Sequence, residues 1–258
     1  MKKNRIGETV TNNFGSTMVI VEYRNALDID IYFPEYNWTA KGMQYSAFKK
    51  GKIKCPYDKS IYGVGYLGEG SYKTIENSKQ TRVYSTWHNM LTRCYSEKEH
   101  ERHPTYIGCE TSEEFLNFQN FGFWDSENYY EIEGEQMHLD KDILCKGNKI
   151  YSPDVCIYVP QTINVLFTKR QNDRGDNPIG VSYHKRDEVY EVYCCLINPK
   201  TGKSKSKYLG YYETQEKGFE VYKYYKEKNI KVVADYFKEQ IPQRLYDALY
   251  EYEVEIDD

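Results

Sequence analysis

The sequence has no long apolar run. Its longest are of the kind seen at residues 18–21 (MVIV), far short of the roughly twenty residues that a membrane span needs. The start, MKKNRIGETV, is basic but lacks the apolar stretch of a secretion signal. Both absences point to a cytoplasmic protein whose thiols stay reduced. Paired cysteine spacing is missing too. Seven cysteines without a CxxC make a poor disulfide framework, and the adjacent Cys194 and Cys195 cannot form a metal knuckle. Cys94, Cys109, Cys145 and Cys156 match no standard zinc spacing, so buried thiols are the favoured reading. No Gly-Lys-Ser/Thr follows the four glycines of residues 61–70 (IYGVGYLGEG). That stretch therefore reads as a hinge or extended connector and not as a phosphate loop.

What is abundant is tyrosine, 28 in 258 residues. Tyrosine suits half-wet strand faces, and exposed rings can also stack on bases. The length allows one large domain or two to three small ones. Net charge is −4, but it is unevenly spread. Residues 1–80 carry a net +4, 81–175 a net −5, 176–231 a net +3 and 232–258 a net −6. Basic flanks around an acidic centre suit a protein that holds phosphate outside and a cation inside.

The pattern along the chain predicts an α+β fold in four parts. Residues 1–70 read as a small β module, with MVIVEY and IDIYF as strands. Its FKKGKIKCP segment groups Lys49, Lys50, Lys52 and Lys54, either on a phosphate backbone or as a lysine-protected edge. Residues 71–175 form the centre. Trp87, Met90, Leu91 and Cys94 fall at helical spacing, with Ser85 or Thr86 as the cap. A second helix follows Thr111 or Ser112, opened by Glu113 and Glu114. Residues 176–231 read as three strands, about 179–183, 189–197 and 206–212, then a helix capped by Thr214 with Phe219, Tyr222 and Tyr225 on one face. Residues 232–258 read as one or two helices and an acidic tail.

The centre carries the chemistry. Within residues 137–167, His138, Asp140 and Asp142 alternate on a presumed strand and would share one face. Asn148 lies in a polar turn, a β-rich run spans 150–159, and Asn164 sits on a short amphipathic segment. Histidine titrates near neutrality and suits a general base; carboxylate and amide oxygens suit Mg²⁺. Together these can support metal-assisted phosphodiester hydrolysis. The competing reading is a solvated strand face and a hairpin turn.

Residues 84–167 resemble the HNH endonuclease-like proteins of tailed bacteriophages. The marks are WHNMLTRCY, PTYIGC, HLDKD, KGNKIYSP and the closing Ile163-Asn164. The family pattern opens with Asp-His or His-His and carries Asn-Leu before its second strand. Here Lys141-Asp142 follow Asp140 and Val155-Cys156 hold the later place, so the base is either displaced to His138 or absent. The resemblance implies a homing-endonuclease-like ββα core. His138, Asp140 and Asn148 would be catalytic, with Asp142 and Asn164 on a divalent metal, Mg²⁺ above others.

Residues 178–231 resemble the ethylene-response-factor (APETALA-two) DNA-binding domain, through the Gly-Val opening, the YLGYYET centre and the GFEVY helix. In that fold the sheet enters the major groove of double-stranded DNA. By position, Tyr183, His184, Lys185, Arg186, Tyr190, Tyr193, Lys203, Lys205 and Lys207 would be contacts. The arginine-rich strand of plant members is missing. Three readings stand: a metal-dependent DNA endonuclease of phage type working in the host cytoplasm, a DNA-binding regulator with an inactive core, and an inhibitor that binds a host DNA-acting protein.

Overall fold

The computed structural model describes residues 5–168 and 177–256. Helices and several small sheets make it α+β, as expected. In chain order the strands and helices are β1 (Thr9–Thr11), β2 (Thr17–Asn25), β3 (Asp28–Phe33), β4 (Trp38–Met43), α1 (Tyr45–Lys49), β5 (Ile75–Glu76), β6 (Lys79–Gln80), α2 (Arg82–Tyr95) and α3 (Glu97–Arg102). Then follow β7 (Glu110–Thr111), α4 (Glu113–Leu116), α5 (Phe118–Asn128), β8 (Met137–Asp140), β9 (Ile150–Tyr151), β10 (Ile157–Pro160) and α6 (Gln161–Asn164). The chain closes with β11 (Val181–His184), β12 (Val189–Ile197), β13 (Ser204–Tyr212), α7 (Gln215–Phe237) and α8 (Gln243–Glu251).

These elements gather into two compact units. One holds residues 5–127 and 149–153, the other 128–148 and 154–256. The four sequence segments therefore regroup. The helices before residue 128 join the N-terminal sheet, while β8, β10 and α6 join the C-terminal sheet. The expected boundary near residue 175 lies outside the described residues.

The first unit contains the antiparallel meander β1-β2-β3-β4. Alternation puts Met18, Ile20, Ile29, Ile31 and Phe33 in its core with Phe48, Ile53 and Cys55. The buried Asp58 carboxylate ties residues 53–58 to the β1–β2 turn. It accepts from Asn12 Nδ2 at 2.8 Å, Ser16 Oγ at 2.5 Å and the Cys55 amide at 2.7 Å. Helix α2 buries the expected stripe of Trp87, Met90, Leu91 and Cys94. It starts earlier than expected. Thr81, not Ser85 or Thr86, is the cap, its hydroxyl accepting from the Tyr84 amide. Residues 61–70 are no free hinge. A Cβ on Gly65 would stand 2.4 Å from Leu91, and one on Gly68 would stand 2.3 Å from Asn117. These glycines let the backbone lie against the helices.

The second unit is built along α7. Gly218, Phe219, Tyr222, Asn229, Ile230, Val233, Ala234 and Phe237 are buried along it at helical spacing. Thr214 caps its start, accepting from the Lys217 amide. The helix runs unbroken past residue 231, where the sequence reading ended it, because its apolar stripe continues through Phe237. Its first half packs under the antiparallel sheet β11-β12-β13, with Phe219 and Tyr222 beside Val181, Val192 and Cys194. Its second half joins Ile157, Val159, Ile163, Leu166, Leu245 and Leu249 in a second core. Strand β12 matches the expected 189–197, and Asn229 completes it. Strand β11 pairs only as far as Val192, so the far end of β12 lacks a neighbour on that side. There the Asn229 side chain accepts from the Ile197 amide at 2.8 Å and donates to its carbonyl at 3.0 Å.

Replacing Asn229 with Leu keeps the volume and strands both Ile197 groups in the core. Urea unfolding at neutral pH should show a loss of about 2–4 kcal/mol. A loss under about 1 kcal/mol would mean that water or another group takes over the role.

Candidate functional site

Strands β8 and β10 pair antiparallel, with His138 opposite Val159 and Asp140 opposite Ile157. Opposed residues in such a pair point to the same face. Ile157 and Val159 share a core with Ile163 and Leu166, so His138 and Asp140 face the side covered by α6. Helix α6 follows β10 directly and ends at Asn164. Two strands and a helix thus bring His138, Asp140 and Asn164 into one small substructure. His138, Asp140 and Asn164 are all half-buried.

Asp140 does two things at once. Its Oδ1 accepts from the Asp142 amide at 2.9 Å and the Ile143 amide at 2.7 Å. That Asx turn ends the strand. Asp142 is therefore a correction. It does not continue the strand face but sits exposed in the following bend, its Oδ2 3.3 Å from Lys141 Nζ. Asp140's own carboxyl is raised to about 6. Burial is the main cause and the negative charge of Asp142 the second; the two amides and Lys141 act in the opposite sense.

Asn148 serves the loop between β8 and the next strand. Its amide donates to the Lys141 carbonyl at 2.7 Å, and its backbone amide donates to the Cys145 carbonyl at 3.0 Å. It holds the loop that carries Lys141 and Asp142, a positioning role. The β-rich run predicted over 150–159 is split. Ile150–Tyr151 pairs in parallel with β7 in the first unit, and only Ile157–Pro160 joins β8. Glu135 escaped the sequence reading. Its carboxylate accepts from the Thr162 amide at 3.0 Å and the Thr162 hydroxyl at 2.6 Å, fixing the start of α6. The N-cap residue is Pro160, which has no side-chain acceptor, so an acid from another segment supplies one. Nothing in the local sequence marks Glu135 for that task.

Among the described residues, no group of three or more His, Cys, Asp and Glu side chains could hold a metal ion. Asp140 and Asn164 carry carboxylate and amide oxygens, the donor types that suit Mg²⁺, which keeps several waters and takes one or two carboxylates. A carboxylate desolvated beside a second acid also gains from a compensating cation.

The residues expected on DNA are dispersed. Lys49, Lys50 and Lys52 are exposed in the first unit, with Lys49 Nζ 3.8 Å from Glu8. In the second unit the register of the three-stranded sheet sorts the rest. Val192 and Cys194 are buried toward α7, so their partners Gly210 and Lys207 face that side too. Lys207 lies over the Tyr225 ring of α7 at 4.3 Å, and Lys205, opposite Leu196, shares its face. Tyr183 and Tyr190, paired across β11 and β12, are on the same side. The opposite face holds His184, Glu191, Tyr193, Tyr208 and Tyr211. Lys185 and Arg186 occupy the β11–β12 turn and Lys203 the β12–β13 turn, all exposed. Arg186 forks onto Asp187 at 2.9 and 3.2 Å. Thus the lysines of β13 and the outward tyrosines do not form one surface. The strand pattern hid this because a bulge between Val192 and Tyr193 shifts the β13 register.

No family model, curated protein or solved structure matches the chain. No helix among the described residues is long and apolar enough to cross a membrane.

The Asp140 carboxyl makes stability depend on pH with a definite sign. Its folded value lies above the ordinary carboxylate value of 3.8. The folded state therefore holds the proton more tightly, and stability is lost as pH rises from about 4 to about 6. Asp140→Asn keeps an oxygen for the Asx turn and removes the charge. In EDTA at pH above about 6 the variant should be more stable than the parent by about 1–3 kcal/mol, and the gain should vanish near pH 4. Urea titrations across that range decide it; a variant less stable at neutral pH contradicts the assigned environment.

Proposed function

We propose that this protein is a metal-dependent DNA endonuclease of the HNH type, hydrolysing phosphodiester bonds in double-stranded DNA. The observation that carries the reading is the order of the β8–β10 pair and α6, with His138 and Asp140 on the strand face beneath the helix that bears Asn164. His138 accepts the proton of the attacking water, since imidazole titrates near neutral pH. Asp140 and Asn164 would hold a divalent cation such as Mg²⁺, which would supply positive charge for the scissile phosphate and the leaving oxygen. Asn148 and Glu135 hold the loop and the helix in place. Asp142, exposed and next to Lys141, has at most an electrostatic part in this scheme.

A second reading has its own support. One oxygen of Asp140 is committed to two backbone amides, and the acidic and histidine ligands number fewer than three. Those features suit a DNA-binding regulator that has lost cleavage.

Supercoiled plasmid with Mg²⁺ or Mn²⁺ tests both. Nicking or linearisation should require metal, and His138→Ala should reduce the rate by at least about 100-fold. Asp140→Asn should also lose cleavage although it stabilises the fold. Intact plasmid that shifts on a gel, with the shift fading as salt rises, would instead establish the binding protein. Equal cleavage by His138→Ala would remove His138 from the mechanism.

A further inference from the structure

The outward face of the β11-β12-β13 sheet is uncovered within the second unit, and its side chains are of an unusual kind. Reading across the register, it carries Ser182 and His184 on β11, then Val189, Glu191, Tyr193 and Cys195 on β12. Ser206, Tyr208 and Tyr211 complete it on β13, while Ser204 lies opposite the buried Ile197. Tyr193, Tyr208 and Tyr211 are 41%, 46% and 51% exposed. Their rings form a continuous row with His184. The centroids of Tyr193 and Tyr208 are 5.3 Å apart, those of Tyr208 and Tyr211 5.6 Å, and those of Tyr211 and His184 6.0 Å.

Side-chain type and charge together select what this row holds. Reading base edges in a duplex groove calls for long donors such as Arg, Lys, Asn or Gln. The outward positions have none of these; beside the rings there are only serines, one cysteine, one valine and one acid. An aromatic ring instead offers a π-face, which only an unpaired base can stack upon. Charge then selects the ligand among flat aromatic molecules. Around this face four basic side chains, Lys185, Arg186, Lys200 and Lys203, stand against three acidic ones, Asp187, Glu188 and Glu191, while Lys205 and Lys207 face α7. Lys185 and Arg186 lie in the turn at one end of the sheet, Lys200 and Lys203 in the turn at the other. That layout puts cations where a strand's phosphates would leave a central row of stacked bases. The hydroxyls of Tyr193 and Tyr208 are held above the ordinary tyrosine range, the first chiefly by its bond to Glu191 and the second by desolvation. They add no negative charge at neutral pH.

We propose that this face is a base-stacking platform for a short stretch of single-stranded DNA, bound by Tyr193, Tyr208, Tyr211 and His184 with the turn lysines on its phosphates. The proposal rests on the preceding reading only in taking DNA as the ligand; cleavage does not enter it. It also differs from groove insertion of the sheet, because the strands present rings and not donors.

The test is fluorescence anisotropy of the full chain in EDTA, with labelled oligothymidylate, a duplex of the same length and oligouridylate. The parent should bind oligothymidylate more tightly than either alternative. Tyr208→Ala and Tyr211→Ala should each weaken that binding by roughly tenfold and leave duplex binding unchanged. Tyr208→Phe and Tyr211→Phe should keep it, since the ring is what stacks. Tyr193→Ala, on the neighbouring strand, repeats the test should either β13 variant disturb folding by circular dichroism. Preference for the duplex, equal loss on duplex and single strand, or unchanged binding in the alanine variants would overturn the platform. Tighter binding of oligouridylate would overturn its assignment to DNA. Plasmid left intact by a parent that still grips oligothymidylate would sink the endonuclease reading alone.

Discussion

Helix α7 is the element on which the second unit depends. One helix of 23 residues serves two cores in succession, Phe219 and Tyr222 under the three-stranded sheet and Ile230, Val233, Ala234 and Phe237 beneath β8, β10 and α6. Burying each large apolar side chain contributes about 1.5–3 kcal/mol, so the helix supports both halves, and the two-stranded β8–β10 pair needs it most. Asn229 sits where one core gives way to the other, and its paired bonds to Ile197 tie the end of β12 to the helix at that point. The sheet and the candidate active site are therefore parts of one body and not beads on a string.

The same economy appears at Asp140. A carboxylate in a desolvated position, beside another acid, is a poor choice for stability alone. Its Oδ1 bonds would be served equally well by asparagine. What aspartate adds is a negative charge that the two amides and Lys141 offset only in part. Residues that cost the fold and give it nothing in return are expected at functional sites more than elsewhere.

Much of the fold was legible because its signals are local. Period-two alternation marked β2 and β3, the stripe from Trp87 to Cys94 marked α2, and Thr214 marked the start of α7. At the site the first strand was legible, but the second is Ile157–Pro160 alone and not the whole run of 150–159. The failures are nonlocal or involve one-residue shifts. Asp142 left the expected face because Asp140 captures its amide. Lys205 and Lys207 turned toward α7 because a bulge reset the register of β13. Glu135 became a helix cap from 27 residues away, which no window of sequence reveals. The grouping into units also escaped, since it depends on which apolar faces meet.

The sorting of charge and aromatic residues on the β11-β12-β13 sheet has a consequence for how a nucleic acid would be held. If phosphates meet only the turn cations Lys185, Arg186, Lys200 and Lys203, at most about four counterions are released, and log affinity for a single strand falls with log salt at a slope no steeper than about −3. Arg186 is already forked onto Asp187, which lowers that ceiling further. Binding would then persist at salt concentrations that strip a lysine-faced sheet from a duplex. Affinity would come mainly from the rings of Tyr193, Tyr208 and Tyr211, whose stacking salt leaves untouched. A steep slope would instead require Lys205 and Lys207 to swing from the α7 side, and Lys207 would first have to give up its place over Tyr225.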